Sequence, residues 1–321
     1  MPLILVTGAS GFIGQALCKR MKEHDWRVRG TFRPLAGRKS LPANIEAAEI
    51  PAIGRHTDWL APLNGVDVVV HLAAYVHTMK ETVLDPLAAY REVNSLGTER
   101  LARTAAACGV KRFIYLSSVK VMGPGSSMPY TEADTSAPSD PYGVSKWEAE
   151  QILREIGTSS NLEVVILRSP LVYGPGVKAN FLSLLKAVSR GIPLPLAGIK
   201  NRRSFIYIGN LVDAIILSMK HENAPGGIFM VGDGRDISTP DLIRIIGSAM
   251  GKNPFLFPVP LYMLRFFGLL TGKQSEIERL TSSLFIDCSK ISSTLGWLPP
   301  FSMEEGIRHT VEWFRLREEN P

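Results

Sequence analysis

The chain has 321 residues, of which 45% are hydrophobic and 21% charged, and this composition excludes a mainly disordered protein. Its net charge of +6 suits a nucleic acid, a membrane surface or a phosphorylated small molecule equally well. The three separated cysteines and six histidines lack disulfide-framework or metal-ligand spacing, so no metal site is predicted. No apolar run reaches about 18 residues and no signal peptide is apparent, so we expect a cytoplasmic protein.

Apolar strands alternate with helical segments through the first two-thirds of the chain. The predicted strands are Leu3–Thr7, Arg27–Phe32, Val66–Leu72, Arg112–Ser117 and Glu163–Arg168, and the predicted helices include Phe12–Glu23, Pro86–Cys108 and Pro141–Ile156. Four of these strands are almost continuously apolar, as strands covered on both faces should be. The alternation predicts an α/β fold of the Rossmann type with a doubly wound parallel sheet.

Prolines and glycines become frequent after about residue 169, and short helices such as Thr239–Met250 and Met303–Arg317 dominate. Residues 202–219 have a strand-then-helix pattern that predicts a return to the first sheet. We therefore predict two domains, the first binding a dinucleotide and the second, smaller and irregular but also α/β, binding the substrate. The first domain comprises residues 1–168 and about 204–221, and the second comprises residues 169–203 and 222–321.

One apolar stretch in the second domain leaves two interpretations open. Residues Phe255–Leu270 are interrupted by Pro258, Pro260 and Arg265, so the stretch is too broken to predict a membrane span. It forms either a buried helix of a substrate lid or a helix on a membrane surface, where positive net charge favours an anionic bilayer. Peripheral membrane association therefore stays among the possible partners.

The first strand runs directly into Gly8-Ala-Ser-Gly11-Phe-Ile-Gly14, in which the glycines have a GxxGxxG spacing. Glycine permits positive φ and lets the backbone approach a pyrophosphate closely. The helix that begins here directs its free N–H groups and the positive end of its dipole toward that anion. Such a turn, set between a strand and an amphipathic helix, predicts dinucleotide binding rather than a fortuitous glycine turn.

The end of the second strand predicts which dinucleotide binds. An acidic residue there accepts the ribose hydroxyls of NAD, whereas a basic residue favours the 2′-phosphate of NADP. Here Phe32 is followed by Arg33 without a carboxylate, and an arginine can bind a phosphate bidentately. We therefore expect NADP(H) to be favoured over NAD(H), with Arg38 and Lys39 as weaker contributors.

A candidate acid–base pair lies at the start of the helix that contains Pro141. Tyr142 and Lys146 are four residues apart and share one helix face. The lysine charge and an oxidised nicotinamide ring would lower the pKa of a tyrosine from about 10, so that it acts as acid or base on a carbonyl or alcohol. Ser117 and Ser118 follow at the end of a strand, where ligands of parallel sheets gather, and a serine hydroxyl can hold the substrate oxygen.

These motifs resemble those of the extended short-chain dehydrogenase/reductase superfamily, specifically the NAD-dependent epimerase/dehydratase family that acts on nucleotide sugars. The matching segments follow the family's order over nearly the whole chain: TGASGFIG (7–14), HLAA (71–74), Asn94-x-x-Gly97-Thr98, LSSVKVMG (116–123), PYGVSK (141–146), LRSPLVYGPG (167–176), RRSFIYIGNLVDAI (202–215) and Asp287–Lys290. The pattern is similar to bacterial surface-polysaccharide enzymes that reduce UDP-4-keto-6-deoxy-N-acetylhexosamines at C4. Other members of that group are called UDP-sugar 4-epimerases.

The resemblance implies roles for individual positions. Catalysis would use Ser118, Tyr142 and Lys146, because Ser118, and not Ser117, lies five residues before Gly123 as the family serine does. The implied cofactor contacts are Gly8, Ser10, Gly11, Phe12, Ile13, Gly14, Arg33, Leu72, Ala73, Ala74, Asn94, Ser117, Tyr142 and Lys146. The implied contacts to a UDP-sugar substrate are Tyr75, His77, Lys120, Asn180, Arg203 and Arg279. A homodimer through Pro86–Cys108 and Pro141–Ile156 is also implied.

Two departures from the family pattern bear on the reaction. Arg33 follows Phe32 where sugar 4-epimerases have an aspartate, and Val119-Lys120 replaces the acidic pair of the dehydratases, which argues against dehydration. We expect an NADPH-dependent 4-keto-sugar reductase. The alternatives are a UDP-hexose or UDP-N-acetylhexosamine 4-epimerase and, second, a non-catalytic dinucleotide-binding scaffold. Nucleic acid is not expected as a partner, because the basic residues that can be placed cluster at phosphate sites without interleaved aromatic residues.

Overall fold

The computed structural model describes residues 2–24, 26–34, 41, 45–76 and 85–319. Its strands are β1 Leu3–Thr7, β2 Arg27–Phe32, β3 Glu46–Glu49, β4 Val68–His71, β5 Arg112–Ser118, β6 Glu163–Ser169, β7 Leu171–Tyr173, β8 Phe205–Tyr207 and β9 Ile228–Met230. Its helices are α1 Phe12–Lys22, α2 Leu60–Leu63, α3 Pro86–Tyr90, α4 Gly97–Ala107, α5 Pro141–Ser159, α6 Ala179–Ser189, α7 Ile208–Lys220, α8 Thr239–Ala249, α9 Leu261–Thr271, α10 Gln274–Thr281, α11 Ser289–Leu295 and α12 Met303–Glu319.

Seven parallel strands form the main sheet in the order β3-β2-β1-β4-β5-β6-β9. Successive residues of β1 enter different cores, since Ile4 packs on one face with α1 and α7 while Leu5 packs on the other with α4 and α5. This alternation follows from the two-residue period of a strand. The predicted Rossmann-type parallel sheet with helices on both faces is confirmed, and all five predicted strands belong to it.

The predicted helix over residues 86–108 is interrupted. Between α3 and α4 the residues Arg91–Leu96 form one wider π-helical turn, and Gly97 then restarts the α-helix. A Cβ at Gly97 would lie 2.7 Å from Ile53 Cγ2 and 3.2 Å from the Gly54 backbone nitrogen, so a larger residue there would require this loop to shift. The π-helical turn adds one residue to the helical repeat, a change often found at functional sites. Gly109, with φ of 75°, follows the helix end, as the sequence predicts.

The segment 202–219 departs from its prediction. Its strand, β8, pairs with β7 in a separate two-stranded sheet, so the expected return of this strand to the first sheet is wrong. The helix that follows it, α7, does pack on the main sheet through residues such as Leu211 and Ile215. The seventh strand is β9, whose three residues are too short to be recognised from periodicity.

The C-terminal half has a hydrophobic core of its own, built from β7, β8, α6, α8 and α12. A buried polar cluster ties its strands together: the Tyr173 hydroxyl donates to Asp233 Oδ2 at 2.8 Å, and Asp233 Oδ1 accepts from the Tyr207 backbone nitrogen at 2.8 Å. Asn210 Nδ2 donates to the same Oδ1 at 2.7 Å. The predicted limits of the two domains stay a prediction.

Candidate active site

The glycine-rich turn after β1 is built for close approach of backbone to a ligand. Gly8 has φ of 71°, and a Cβ there would lie 2.9 Å from the Ala73 backbone nitrogen. A Cβ on Gly14 would clash with the Gly8 carbonyl oxygen, and the Gly11 amide donates to that oxygen at 2.9 Å. The cradle leaves no room for side chains and ends at the first turn of α1, so these residues fit a dinucleotide phosphate group.

The other glycine-loop positions lie around this cradle. Ser10 is half-buried, and its carbonyl oxygen accepts a hydrogen bond from Gln15 Nε2 at 3.1 Å. Ile13 packs against the core under α1, while the ring of Phe12 would lie 3.2 Å from a Cβ placed on Gly176 in the C-terminal half. The start of α1 therefore contacts both halves of the protein.

A buried chain of hydrogen bonds links the ends of β1 and β4. Thr7 Oγ1 lies 2.6 Å from His71 Nδ1, and His71 Nε2 lies 2.9 Å from Thr98 Oγ1. Burial lowers the pKa of His71 to about 3, and the charge of Lys146 acts in the same direction, so the imidazole is neutral at physiological pH. The Ala73 amide donates to Thr7 Oγ1 at 3.2 Å, which fixes the backbone of Leu72, Ala73 and Ala74 beside Gly8.

Arg33 lies exposed just after β2 and forms no ion pair with any residue that the structure describes. The guanidinium of Arg29, by contrast, is hydrogen-bonded within the protein: its Nη2 lies 2.7 Å from Glu46 Oε2 and its Nη1 donates to the Pro62 carbonyl at 2.8 Å. With respect to the described residues, Arg29 is committed to partners within the protein and Arg33 is not. Arg38 and Lys39 lie outside the described residues.

Ser118 and Tyr142 meet at the C-terminal edge of the sheet. Asp140 begins α5 by accepting from the Gly143 amide at 2.9 Å, and this cap holds Tyr142 in the first turn beside the end of β5. Burial raises the pKa of Tyr142 to about 12, the Asp140 charge adds to the increase, and a hydrogen bond with Ser118 opposes it. In the protein alone burial therefore raises the pKa of this phenol, and the decrease expected from Lys146 together with an oxidised nicotinamide ring stays a prediction.

Lys146 lies one helical turn beyond Tyr142 and is buried. Its Nζ is 4.1 Å from the centre of the Tyr115 ring, a cation–π geometry. Burial lowers the pKa of Lys146 to about 7, and the Glu150 carboxylate one turn further along α5 opposes the change. Tyr142, Lys146 and Glu150 thus line one face of α5, as the i, i+4 spacing predicts.

A buried ion pair behind these residues supports the end of β5. Ser117 Oγ donates to Glu150 Oε1 at 2.5 Å, and Arg168 Nη2 donates to Glu150 Oε2 at 2.6 Å. The carboxylate and the guanidinium are both almost completely buried. The sequence pattern does not predict this pair, although Glu150 follows Lys146 by four residues and Arg168 lies on the neighbouring strand β6.

Lys120 lies against the start of α5, the helix that carries Tyr142. Its Nζ is 2.7 Å from Asp140 Oδ2 and 5.8 Å from the centre of the Tyr142 ring. The Lys120 amide donates to Ser118 Oγ at 3.3 Å. Asp140 is not among the predicted site residues, although its position immediately before Pro141 is the ordinary signal for a helix N-cap.

Asn94 holds the loop after β4 in place. Its amide bonds the Tyr75 backbone in both directions, accepting from the nitrogen at 2.8 Å and donating to the oxygen at 2.9 Å. It also donates to Ser145 Oγ at 3.0 Å. The rings of Tyr75 and Tyr142 flank Tyr90, with centroid distances of 5.0 Å and 6.1 Å, so Tyr75 joins an aromatic group at the site. His77 lies outside the described residues.

The three candidate residues of the C-terminal half lie on different segments. Asn180 belongs to α6, Arg279 belongs to α10, and Arg203 forms an isolated β-bridge just before β8. Arg203 Nη1 donates to the Arg279 carbonyl at 2.6 Å, so these two arginines are brought together beside α10. Burial lowers the pKa of the Arg203 guanidinium, and the charge of Arg279 lowers it further. Asn180 lies in the first turn of α6, directly after Ala179, whose φ of 50° makes it the one described non-glycine residue with positive φ. Such strain often marks a ligand site, and sequence patterns do not reveal it.

Fold and site together define the short-chain dehydrogenase/reductase class: a phosphate cradle after β1, a serine and a tyrosine at the C-terminal sheet edge, and a buried lysine one turn away. The described part of the chain holds no group of three or more His, Cys, Asp or Glu side chains able to bind a metal.

Comparison with known proteins agrees with this class. The model of the NAD dependent epimerase/dehydratase family matches residues 4–232, more than half of the chain. The chain therefore belongs to that family, and it is an enzyme of the short-chain dehydrogenase/reductase type. The family is described as NAD dependent, and these comparisons give no support for a preference for NADP.

Individual relatives cover nearly the whole chain. A UDP-glucose 4-epimerase of Vibrio cholerae is 44% identical over 315 residues, covering 97% of this chain and 95% of the relative. An Escherichia coli O157:H7 enzyme, N-acetyl-alpha-D-glucosaminyl-diphospho-ditrans,octacis-undecaprenol 4-epimerase, is 28% identical over 97% of this chain and 94% of its own length. The solved complex of MoeE5 with UDP-glucuronic acid and NAD is 26% identical, with a TM-score of 0.79 and coverage of 98% of this chain and 99% of that one.

Proposed function

We propose that this enzyme oxidises or reduces C4 of a UDP-linked sugar, with Tyr142 moving the proton. One observation carries the proposal: the Tyr142 phenol lies against Ser118 at the C-terminal edge of the sheet, the same edge at which the glycine cradle that fits a dinucleotide follows β1. The relatives named UDP-glucose 4-epimerase and the UDP-sugar complex of MoeE5 support this substrate class. A nicotinamide dinucleotide, when bound, accepts or donates the hydride.

Each residue has a definite task in this scheme. Ser118 Oγ holds the C4 oxygen, and Tyr142 gives its proton to that oxygen when a ketone is reduced or removes it when an alcohol is oxidised. Lys146, buried beside them, supplies positive charge that stabilises the phenolate left on Tyr142. Gly8, Gly11 and Gly14 hold the pyrophosphate, and the backbone of Ala73 and Ala74 lines the cofactor cleft.

The substrate diphosphate is assigned to the C-terminal half. Arg203 and Arg279 lie together although their charges repel, an arrangement that an anion between or beside them would stabilise. The strained backbone at Ala179 brings Asn180 to the start of α6, where amide groups can hold phosphate oxygens. Lys120 and Tyr75 are assigned to the sugar end, because Lys120 lies beside the Tyr142 ring and Tyr75 contacts Tyr90, which in turn contacts Tyr142.

Two reactions share this machinery. We favour reduction of a UDP-4-keto-6-deoxy-N-acetylhexosamine in polysaccharide biosynthesis, because the exposed Arg33, which forms no ion pair with any described residue, suits the 2′-phosphate of NADPH. The 44% identity to a UDP-glucose 4-epimerase favours 4-epimerisation of a UDP-hexose or UDP-N-acetylhexosamine. We infer a cytoplasmic homodimer through the helices between residues 86 and 107 and α5, with the two predicted domains enclosing the site.

One assay separates these readings. The purified full chain is given a UDP-4-keto-6-deoxy-N-acetylhexosamine with NADPH and, separately, UDP-glucose or UDP-N-acetylglucosamine without added cofactor. Oxidation of NADPH in the first mixture is the expected result. Interconversion of the sugars in the second would replace the reductase by the epimerase, and inactivity in both would leave a dinucleotide-binding scaffold.

The cofactor preference is tested separately with Arg33→Gln. If Arg33 binds the 2′-phosphate, this change weakens NADPH binding by about tenfold, the value of one charge-assisted hydrogen bond, and leaves NADH binding unaltered. The matched control is Arg29→Gln, which removes the structural bond to Glu46 instead. Equal affinity of the wild-type chain for NADH and NADPH would contradict the preference.

A further inference from the structure

The helix α9 exposes an unusual amount of apolar surface. Its exposed large side chains, each between 38% and 73% accessible, are Leu261, Tyr262, Met263, Phe266, Phe267, Leu269 and Leu270. With Phe255 they make up eight of the fifteen exposed large hydrophobic side chains found in the described part of the chain. Scattered exposed hydrophobic residues need no explanation, but a contiguous group marks an interaction surface.

The packed side of α9 is narrow. Leu264 and Gly268, one turn apart, are its buried residues, and the absence of a side chain at Gly268 lets Ile277 of α10 approach closely. At about 100° per residue, Tyr262, Phe266 and Leu270 lie within roughly 40° of the direction opposite that packed stripe. The most apolar face of the helix therefore points directly away from the protein. Gly272, with φ of 68°, ends the helix and turns the chain back into α10.

The charges around α9 select among possible occupants. Residues 252–273 contain Lys252, Arg265 and Lys273 but no aspartate or glutamate. The same helical geometry places Arg265 at the flank of the apolar face, about 100° from Leu264, where a long cationic side chain can reach along the surface to a phosphate. The nearest acidic residues in sequence, Glu276 and Glu278, belong to α10.

A second copy of the chain suits this surface poorly. A two-fold contact through one helix face sets that face against itself, so Arg265 of each copy would approach the other without a carboxylate on either α9. An anionic bilayer presents phosphates to the flanking cations and an apolar interior to the aromatic and aliphatic side chains. Among the described residues no helix is long and apolar enough to cross a membrane, and α9, with 11 residues, is about 16 Å long.

We propose that α9 is a membrane-docking helix that lies in the interface of an anionic bilayer, with Arg265 and Lys273 at the phosphate level. Because α10 packs against α9 and carries Arg279, docking would place the substrate-binding half next to the membrane. The docking does not depend on which sugar the enzyme uses.

The test is sedimentation of the full chain with vesicles of phosphatidylglycerol and phosphatidylethanolamine, and with vesicles of phosphatidylcholine. The wild-type protein should sediment with the anionic vesicles, and Phe266→Glu/Phe267→Glu should reduce its partition coefficient at least tenfold. Leu60→Glu is the matched control, because Leu60 has similar exposure on α2 and should have no effect. Arg265→Gln/Lys273→Gln should reduce binding to the anionic vesicles by about fivefold for each cation removed.

Unchanged thermal unfolding midpoints show that the variants remain folded, which their exposed positions lead us to expect. Failure of the folded wild-type protein to bind either vesicle would overturn the proposal. So would an equal loss of binding in Leu60→Glu. If the phenylalanine variant instead dissociates an oligomer in analytical ultracentrifugation and vesicle binding does not change, α9 is a contact between copies and the proposal is wrong.

Discussion

The cofactor half and the substrate half of the site are stabilised in different ways. Around the glycine cradle the polar groups are buried and paired with one another, as in the chain from Thr7 through His71 to Thr98. Beside α10 two arginines lie together, and at α6 a residue has strained backbone. In the cofactor half, the buried polar groups are already paired before any ligand binds. In the substrate half, two neighbouring arginines carry positive charge that an anionic ligand would balance. Substitutions should therefore affect chemistry and stability in the first half and affinity in the second.

The largest effect is expected in the first half, from Tyr142→Phe. Loss of the hydroxyl removes the proton donor, so we expect kcat to fall by about 10²- to 10⁴-fold while cofactor affinity is kept. Steady-state kinetics and cofactor titration measure the two quantities, with the exposed Tyr262→Phe as control. Turnover close to wild type would show that another group moves the proton.

Next in size is the buried ion pair of Glu150 and Arg168. Arg168→Met leaves the Glu150 carboxylate buried without its partner, which should lower the free energy of unfolding by about 3–5 kcal/mol. The double variant Glu150→Leu/Arg168→Met removes both charges and should recover most of that loss. Urea denaturation measures each value, and a single variant as stable as wild type would mean that water reaches the carboxylate.

Lys146 gives this half a characteristic pH dependence. Its folded-state pKa, about 7, lies below the ordinary value of 10.5, so between these values the unfolded chain binds the extra proton. The unfolding free energy attributable to Lys146 therefore rises with pH, by roughly 1.4 kcal/mol per unit, and is lowest at and below neutrality. Between pH 7 and 9, wild type should gain roughly 2 kcal/mol relative to Lys146→Met in urea denaturation. Parallel pH profiles would contradict the burial of a titrating lysine.

The smallest effect is expected in the second half. Arg279 is exposed, so Arg279→Gln should leave the thermal unfolding midpoint unchanged and weaken UDP binding by about tenfold. Arg308→Gln, on the exposed side of α12, is the control. Isothermal titration with UDP decides the outcome, and unchanged affinity would remove Arg279 from the diphosphate site and leave the comparison resting on Arg203.

The sequence predicts the main sheet well because its signals are local. Buried strands are apolar runs, and the turn from Gly8 to Gly14 carries its own steric requirement. The sequence does not predict β9 or the pairing of β8, because three-residue strands have no readable period and their partners are distant in the chain.

The same contrast between local and long-range signals applies to the candidate site. The positions of Ser118, Tyr142 and Lys146 follow from strand ends and helix spacing. Their surroundings do not: burial raises the pKa of Tyr142 and the Asp140 charge adds to the increase, whereas the Tyr142–Lys146 spacing alone predicts a decrease. The contacts of Lys120 with Asp140 and of Glu150 with Arg168 join segments whose pairing only the fold creates.

The hydrogen bond from Ser117 to Glu150 has a consequence for the neighbouring position. Adjacent residues of a strand face opposite sides, so β5 commits one hydroxyl to the buried ion pair and presents the other to Tyr142. The two serines are chemically identical, and only the pleat distinguishes them. Deleting one residue of β5 before Ser117, with the earlier pairing kept, would move Ser118 into the position that bonds Glu150 and would place Val119 beside Tyr142, where no hydroxyl would then remain. The register of β5 therefore determines which hydroxyl reaches Tyr142.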